Sequence, residues 1–216
     1  MRKPIDLTAY LVLDPVLCEP IGMVQTAIEA ARAGVNVIQL RAPQWKKREI
    51  AECARDMQRA LLPYHVPLII NDHVDVAMAV NADGVHVGQD DLAPEDARRL
   101  LGEEKIIGLS VSTPRECMEV PTDIVDYIGI GPVWATNTKP DAAAPLGLDG
   151  LKAFVEHAPC PHVAIGGISL ANLAEVKATG AKGFAVVSAI CGQDSPYDAT
   201  RALIELWQKS YKEHYG

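Results

Sequence analysis

Eight times along 216 residues, a short apolar run rich in β-branched residues gives way to a longer stretch whose apolar positions recur every three or four residues. That alternation predicts βα units around a parallel sheet. The strand runs are 7–13, 35–41, 67–72, 84–88, 106–111, 127–133, 162–167 and 183–189. A chain of this length suits one barrel or one doubly wound domain, and eight units point to an α/β fold of the (β/α)8 TIM-barrel kind, with 1–216 as a single domain. Between the runs, Val24, Ala27, Ile28 and Ala31 mark one helical face, and Ile50, Cys53, Ala54, Met57 and Leu61 another. Three segments share a cadence, Ala33-Gly34-Val35, Ala82-Asp83-Gly84-Val85 and Ala181-Lys182-Gly183-Phe184. A glycine in that place can end a helix in a left-handed turn.

In such a barrel the reacting groups gather where the strands end, because those ends surround one mouth. Run two closes on Gln39 and Arg41, run three on Asn71 and Asp72, and run four is followed by Asp90 and Asp91. Run five carries Ser110, run six leads to Thr136, Asn137, Thr138 and Lys139, run seven ends in Gly166-Gly167, and run eight in Val187-Ser188. Taken singly, each has a structural alternative: Asp72 or Ser110 can cap the next helix. Together they describe a pocket for a phosphorylated ligand. Asp72 and Asp91 supply hard oxygen donors of the kind Mg2+ accepts alongside waters and phosphates, with Asp90 a competing ligand and a solvated acidic turn the alternative. Arg41 offers a bidentate fork and Lys139 a point charge for phosphate oxygens. The turns at 164–169 and 187–190 expose backbone N–H groups to a second anion, as the loops after strands seven and eight commonly do. The loop 135–147, long for a compact domain, reads as a binding segment or lid.

Composition narrows the partners. A net charge of -8 argues against nucleic acid. No stretch reaches the roughly 18 apolar residues of a membrane span, and the run 7–13 reads as a first strand rather than a signal peptide. Five cysteines, at 18, 53, 117, 160 and 191, show no CxxC or metal-ligand spacing, so reduced thiols in a cytoplasm are the expectation, and Cys191 is given no chemistry. His86, inside an alternating strand, reads as a barrel-interior histidine rather than a general base. Trp207, Tyr211 and Tyr215 are expected to cover the barrel or to join a subunit contact, which leaves a homo-oligomer open.

Six ordered segments carry a resemblance: Val37-Ile38-Gln39-Leu40-Arg41, the block from Ile69-Ile70-Asn71-Asp72 through Gly88-Gln89-Asp90-Asp91-Leu92, Gly108-Leu109-Ser110, Gly129-Ile130-Gly131-Pro132-Val133 with Thr136-Asn137-Thr138-Lys139, Ala164-Ile165-Gly166-Gly167-Ile168, and Ala185-Val186-Val187-Ser188-Ala189-Ile190. Across nearly the whole chain they resemble thiamine phosphate synthases. The resemblance implies a TIM-barrel transferase that joins hydroxymethylpyrimidine diphosphate to a thiazole phosphate or carboxythiazole phosphate and releases pyrophosphate. It implies that Gln39, Arg41, Asn71, Ser110 and Lys139 hold the pyrimidine diphosphate, with Arg41, Ser110 and Lys139 active in catalysis. Thr136, Asn137, Thr138, Gly167, Val187 and Ser188 would complete the substrate site, and Asp72 and Asp91 would bind Mg2+. A thiazole tautomerase on the same fold is the alternative, which would need no diphosphate apparatus. One departure stands out: the family's usual lysine two residues after the arginine is Pro43 here, so Lys46 or Lys47 would have to reach back.

Overall fold

The structure, a computed structural model, describes residues 4–136, 138 and 143–209. Eight parallel strands close into a barrel in sequence order, β1 (Ala9–Leu13), β2 (Val37–Leu40), β3 (Leu68–Asn71), β4 (Gly84–Val87), β5 (Ile106–Val111), β6 (Tyr127–Ile130), β7 (His162–Ile165) and β8 (Phe184–Val186), with β8 paired back to β1. The helices α1 (Met23–Ala33), α2 (Lys47–Leu61), α3 (Val74–Val80), α4 (Pro94–Leu101), α5 (Pro114–Met118), α6 (Gly147–His157), α7 (Leu173–Ala178) and α8 (Pro196–Lys209) alternate with them.

Period-two alternation sorts the strand residues into two cores. Leu11, Leu13, Ile38, Leu40, Ile70, Val85, Ile107, Leu109, Ile128 and Phe184 join helix residues such as Met57, Leu151 and Leu203 in the larger cluster, between sheet and helices. Tyr10, Val12, Val37, Ile69, Tyr127, Val163 and Ala185 form a second cluster that contains no helix residue. That cluster is the inside of the barrel. The same parity turns Gln39 inward with Val37, Asn71 with Ile69, and Gly129 with Tyr127.

The cadence glycines divide into two kinds. Gly34 caps α1 at φ 102°, and Val35 N–H reaches the Ala30 carbonyl at 3.1 Å, so it ends a helix as expected. Gly84 and Gly183 do not: α3 is ended by Asn81 at φ 54°, and the left-handed glycine before β8 is Gly180. Their reason is crowding, since a Cβ at Gly84 would strike the Ile106 carbonyl and one at Gly183 the Leu7 carbonyl.

Where strands begin, most polar groups are consumed by the protein itself, with Arg98 Nε and His162 Nε2 left without a partner among the described residues. Arg98, 4% exposed, donates to the carbonyls of Gly102, Lys105 and Ile124 and to Asp126 Oδ2 at 2.8 Å. Asp126 Oδ2 also accepts Ile107 N–H at 2.7 Å. Asp83 Oδ2 accepts Leu68 N–H at 2.8 Å, and Asn36 bridges Ala9 N–H to Asp6. Trp207 packs on Phe184 with ring centroids 5.1 Å apart, which seats α8 on the flank of the barrel. Tyr211 and Tyr215 lie outside the described residues.

Candidate active site

At the opposite end, β2 hands over to Arg41, whose guanidinium Nη1 donates to the carbonyl of Thr138 at 3.3 Å. This contact joins the end of strand two to the loop after strand six, 97 residues on. Thr136 and Thr138 pair their hydroxyls at 2.9 Å, and Thr138 N–H leans on Thr136 Oγ1 at 3.3 Å. The base of this loop is clamped. Leu146 and Gly147 N–H groups donate to the carbonyls of Pro132 and Val133, each at 2.9 Å. Asn137, expected in the substrate site, and Lys139, expected to hold phosphate, lie outside the described residues.

The double glycine after β7 fits against that base. Val133 and Trp134 N–H groups donate to the carbonyls of Ile165 and Gly166, and a Cβ at Gly166 or Gly167 would be forced into Pro132 or Trp134. Both glycines have positive φ, 102° and 67°. Asn172 then fixes the turn, accepting Ser169 N–H at 2.8 Å and donating to the Gly167 carbonyl at 2.9 Å. After β8, Ile190 and Cys191 N–H groups fold back onto the Val187 carbonyl, and Gln193 holds the Ser188 carbonyl. Among the described residues, the N–H groups of Gly167 and Ser188 have no hydrogen-bond acceptor.

The carboxylates follow neighbouring strands. Asp72 comes straight after β3, whose Asn71 pairs with His86 of β4, and Asp91 follows β4 by a short turn. Asp72 sits at φ 60°, a conformation that costs a non-glycine residue roughly 1–3 kcal/mol, and aspartate tolerates it better than most. Asp91 Oδ2 accepts Gly88 N–H at 2.7 Å. Among the described residues no cluster of three or more Asp, Glu, His or Cys side chains could cage a metal. Two carboxylates suit a hard cation that takes its other oxygens from phosphate and water, so the donor set fits Mg2+ and not a closed structural site. Lys47 does not reach back to replace the family lysine: its ammonium pairs with Asp75 on α3 at 2.8 Å.

Inside the barrel, beneath the mouth, runs a chain of side-chain hydrogen bonds that sequence reading did not find. Gln39 Nε2 donates to Tyr10 Oη at 2.8 Å; Tyr10 and Tyr127 hydroxyls meet at 2.7 Å; His86 Nδ1 lies 3.0 Å from Tyr127 Oη and its Nε2 2.9 Å from Ser110 Oγ. Gln89 holds the Ser110 carbonyl at 2.7 Å. Burial pushes both phenols well above the usual tyrosine range, so they stay neutral. The signal was parity: Tyr10, Gln39, His86, Ser110 and Tyr127 occupy inward positions on five strands. His86 is thus an interior histidine, as its strand pattern suggests, with a defined set of partners.

The family described as thiamine monophosphate synthase matches residues 9–190. The chain belongs to the thiamine monophosphate synthase family. Membership makes it an enzyme, a transferase of thiamine biosynthesis. It is 48% identical over 203 residues to the thiamine-phosphate synthase of Xanthobacter autotrophicus, covering 94% of this chain and 96% of that one. The thiamine-phosphate synthase of Laribacter hongkongensis is also 48% identical, over 207 residues and 95% and 98% of the two chains. Among solved structures, the thiamine phosphate pyrophosphorylase of Pyrococcus furiosus superposes with a TM-score of 0.86 at 35% identity, covering 95% of this chain and 97% of that one. The six motifs that carry the family likeness therefore sit on a barrel shared with a solved relative.

Proposed function

We propose that this member of the family is a Mg2+-dependent thiamine-phosphate synthase, which joins hydroxymethylpyrimidine diphosphate to a thiazole phosphate. The observation that carries the reading is the Arg41 guanidinium at the Thr138 carbonyl, because it draws a diphosphate-binding cation and a hydroxyl-bearing loop to one mouth. Asp72 and Asp91 would hold Mg2+, which when bound neutralises phosphate charge.

The chain's own residues do the rest. Arg41 spreads its fork over diphosphate oxygens, with Lys139 adding a second charge. As the carbon–oxygen bond breaks, the electron pair leaves with pyrophosphate, and these cations stabilise the charge that develops there. The thiazole nitrogen lone pair then forms the new carbon–nitrogen bond, with no covalent enzyme intermediate. Gln39, Asn71 and Ser110 orient the pyrimidine, and Thr136 and Thr138 face the second substrate. The N–H groups of Gly167 and Ser188 receive the phosphate monoester. Alignment of two substrates is itself a large part of the rate. The loop 135–147 shields the electron-poor carbon from water.

The decisive assay mixes both substrates, Mg2+ and protein, with a chelator control. One pyrophosphate per thiamine phosphate, abolished by the chelator, is expected. Isomerisation of the thiazole without pyrophosphate would replace this reading with the tautomerase.

A further inference from the structure

The hydrogen-bond chain inside the barrel has a direction. A phenol has one proton to give, and two phenols in sequence, both fully buried, have to pass it the same way or leave a donor unpaired. With the Gln39 amide donating to Tyr10, Tyr10 gives its proton to Tyr127 and Tyr127 gives its own to His86 Nδ1. The imidazole proton is then on Nε2, aimed at Ser110 Oγ. Ser110 accepts it, which leaves the serine's own proton to be given to a ligand. At the other end, Gln39 has spent one N–H on Tyr10, which orients the amide and leaves its carbonyl oxygen as an acceptor beside the second N–H. Reversing the chain would need the Gln39 amide flipped, both phenols rotated and the proton moved to His86 Nδ1. The polarities of Gln39 and Ser110 are therefore coupled across the barrel.

The backbone is shaped around this chain. Gly108, on β5, faces Tyr127 and His86, and a Cβ there would run into Tyr127 Cζ and Oη and come within 2.5 Å of His86 Nδ1. Gly129, on β6, has its nearest neighbour in His86 Cε1, at 3.4 Å. Two adjacent strands thus forgo side chains where the imidazole and phenol meet. The rings also pack, Tyr127 with Tyr10 at 5.8 Å between centroids and with His86 at 5.5 Å.

We propose that Tyr10, Tyr127 and His86 are positioning residues that lock opposite hydrogen-bond polarities on Gln39 and Ser110. Gln39 is held with its carbonyl oxygen free to accept beside its second N–H, and Ser110 is held as a donor, a pair suited to a ligand that carries an N–H and a lone pair on one heteroaromatic edge. This rests on the proposed function only in assigning that edge to the pyrimidine substrate.

The test reads the imidazole directly. Side-chain 15N NMR of the ligand-free protein, with His86→Asn used to assign the signals, should show His86 protonated on Nε2 and bare on Nδ1. In Tyr127→Phe the rings still pack but the bridging hydroxyl is gone, and His86 should become a mixture of tautomers. Kinetically, Tyr127→Phe should raise KM for the pyrimidine diphosphate about tenfold, the scale of one lost hydrogen bond, and leave KM for the thiazole phosphate unchanged. A wild-type imidazole protonated on Nδ1, an unmoved tautomer in Tyr127→Phe, or an equal rise in both KM values would overturn the proposal. Should Tyr127→Phe fail to fold, Tyr10→Phe serves with the same readouts. Absence of pyrophosphate release from wild type would sink the synthase reading, while the tautomer would still decide the relay.

Discussion

Arg98 and Arg41 are both arginines beside the barrel, yet they live in opposite electrostatic economies. Arg98, where strands begin, gives its protons to three carbonyls and a carboxylate. Arg41, where strands end, has a single weak donation to Thr138 among the described residues, with the rest of its fork unspent. A polar group whose hydrogen bonds are mostly taken by the protein holds the fold together, as Arg98 does with only its buried Nε left without a partner among the described residues; one left largely unanswered is available to a ligand. The barrel places these two kinds at opposite ends, which is the division between stability and chemistry expected of the architecture.

The sharpest way to break the contrast is Arg98→Met. It removes the cationic partner of Asp126, and breaking one partner of a buried pair typically costs about 3–5 kcal/mol, read as a lower denaturant midpoint with kcat/KM of the folded fraction unchanged. Asp72→Asn should do the reverse. It keeps a residue that tolerates φ 60° but removes the charge proposed to hold Mg2+, so turnover should fall roughly 100- to 1000-fold, about 2.7–4 kcal/mol, with little change in Tm. Unaltered turnover in that variant would remove Asp72 from the site. Arg41→Lys keeps the charge and loses the fork, for a rise in KM of the diphosphate substrate of about tenfold. The smallest effect concerns Glu116 on α5. Partial burial opposes its ionisation, but hydrogen bonds from Ser112 and Thr113 prevail and hold its carboxyl below the usual range. A folded-state pKa below the unfolded one adds stability above the unfolded value and loses it as pH falls through the folded value. Glu116→Gln should therefore flatten the acid side of the stability–pH curve and leave activity at neutral pH intact.

Much of this was legible in sequence because a strand buried on both faces writes itself as a continuous apolar run. The run 106–111 coincides with β5, whereas 127–133 overran β6 because the chain turns off at Gly131–Pro132 and proline has no N–H for the ladder. In α1, Ala27 and Ala31 face the core, but Val24 and Ile28 are only half-buried and Met23, Thr26 and Ala30 take their place. A helix flanked by α2 and α8 has apolar contacts on its sides too, so its stripe does not say which edge meets the sheet. Arg41, Asn71 and Asp72 were readable because strand ends are marked by the polar residues that stop the apolar run, and Ser110 because it breaks such a run one residue before its end. Tyr10 and Tyr127 were not, since an aromatic in an apolar run looks like packing until its hydroxyl is given a partner.

The clamp of Leu146 and Gly147 onto Pro132 and Val133 has an evolutionary reach. With its two feet stapled side by side, the segment between them is a closed span that Arg41 also holds at Thr138. Doubling such a closed span costs only about 0.6 kcal/mol in chain entropy. New residues can therefore be spliced into its crown, and the acceptable second substrate retuned, without renegotiating the packing of any strand.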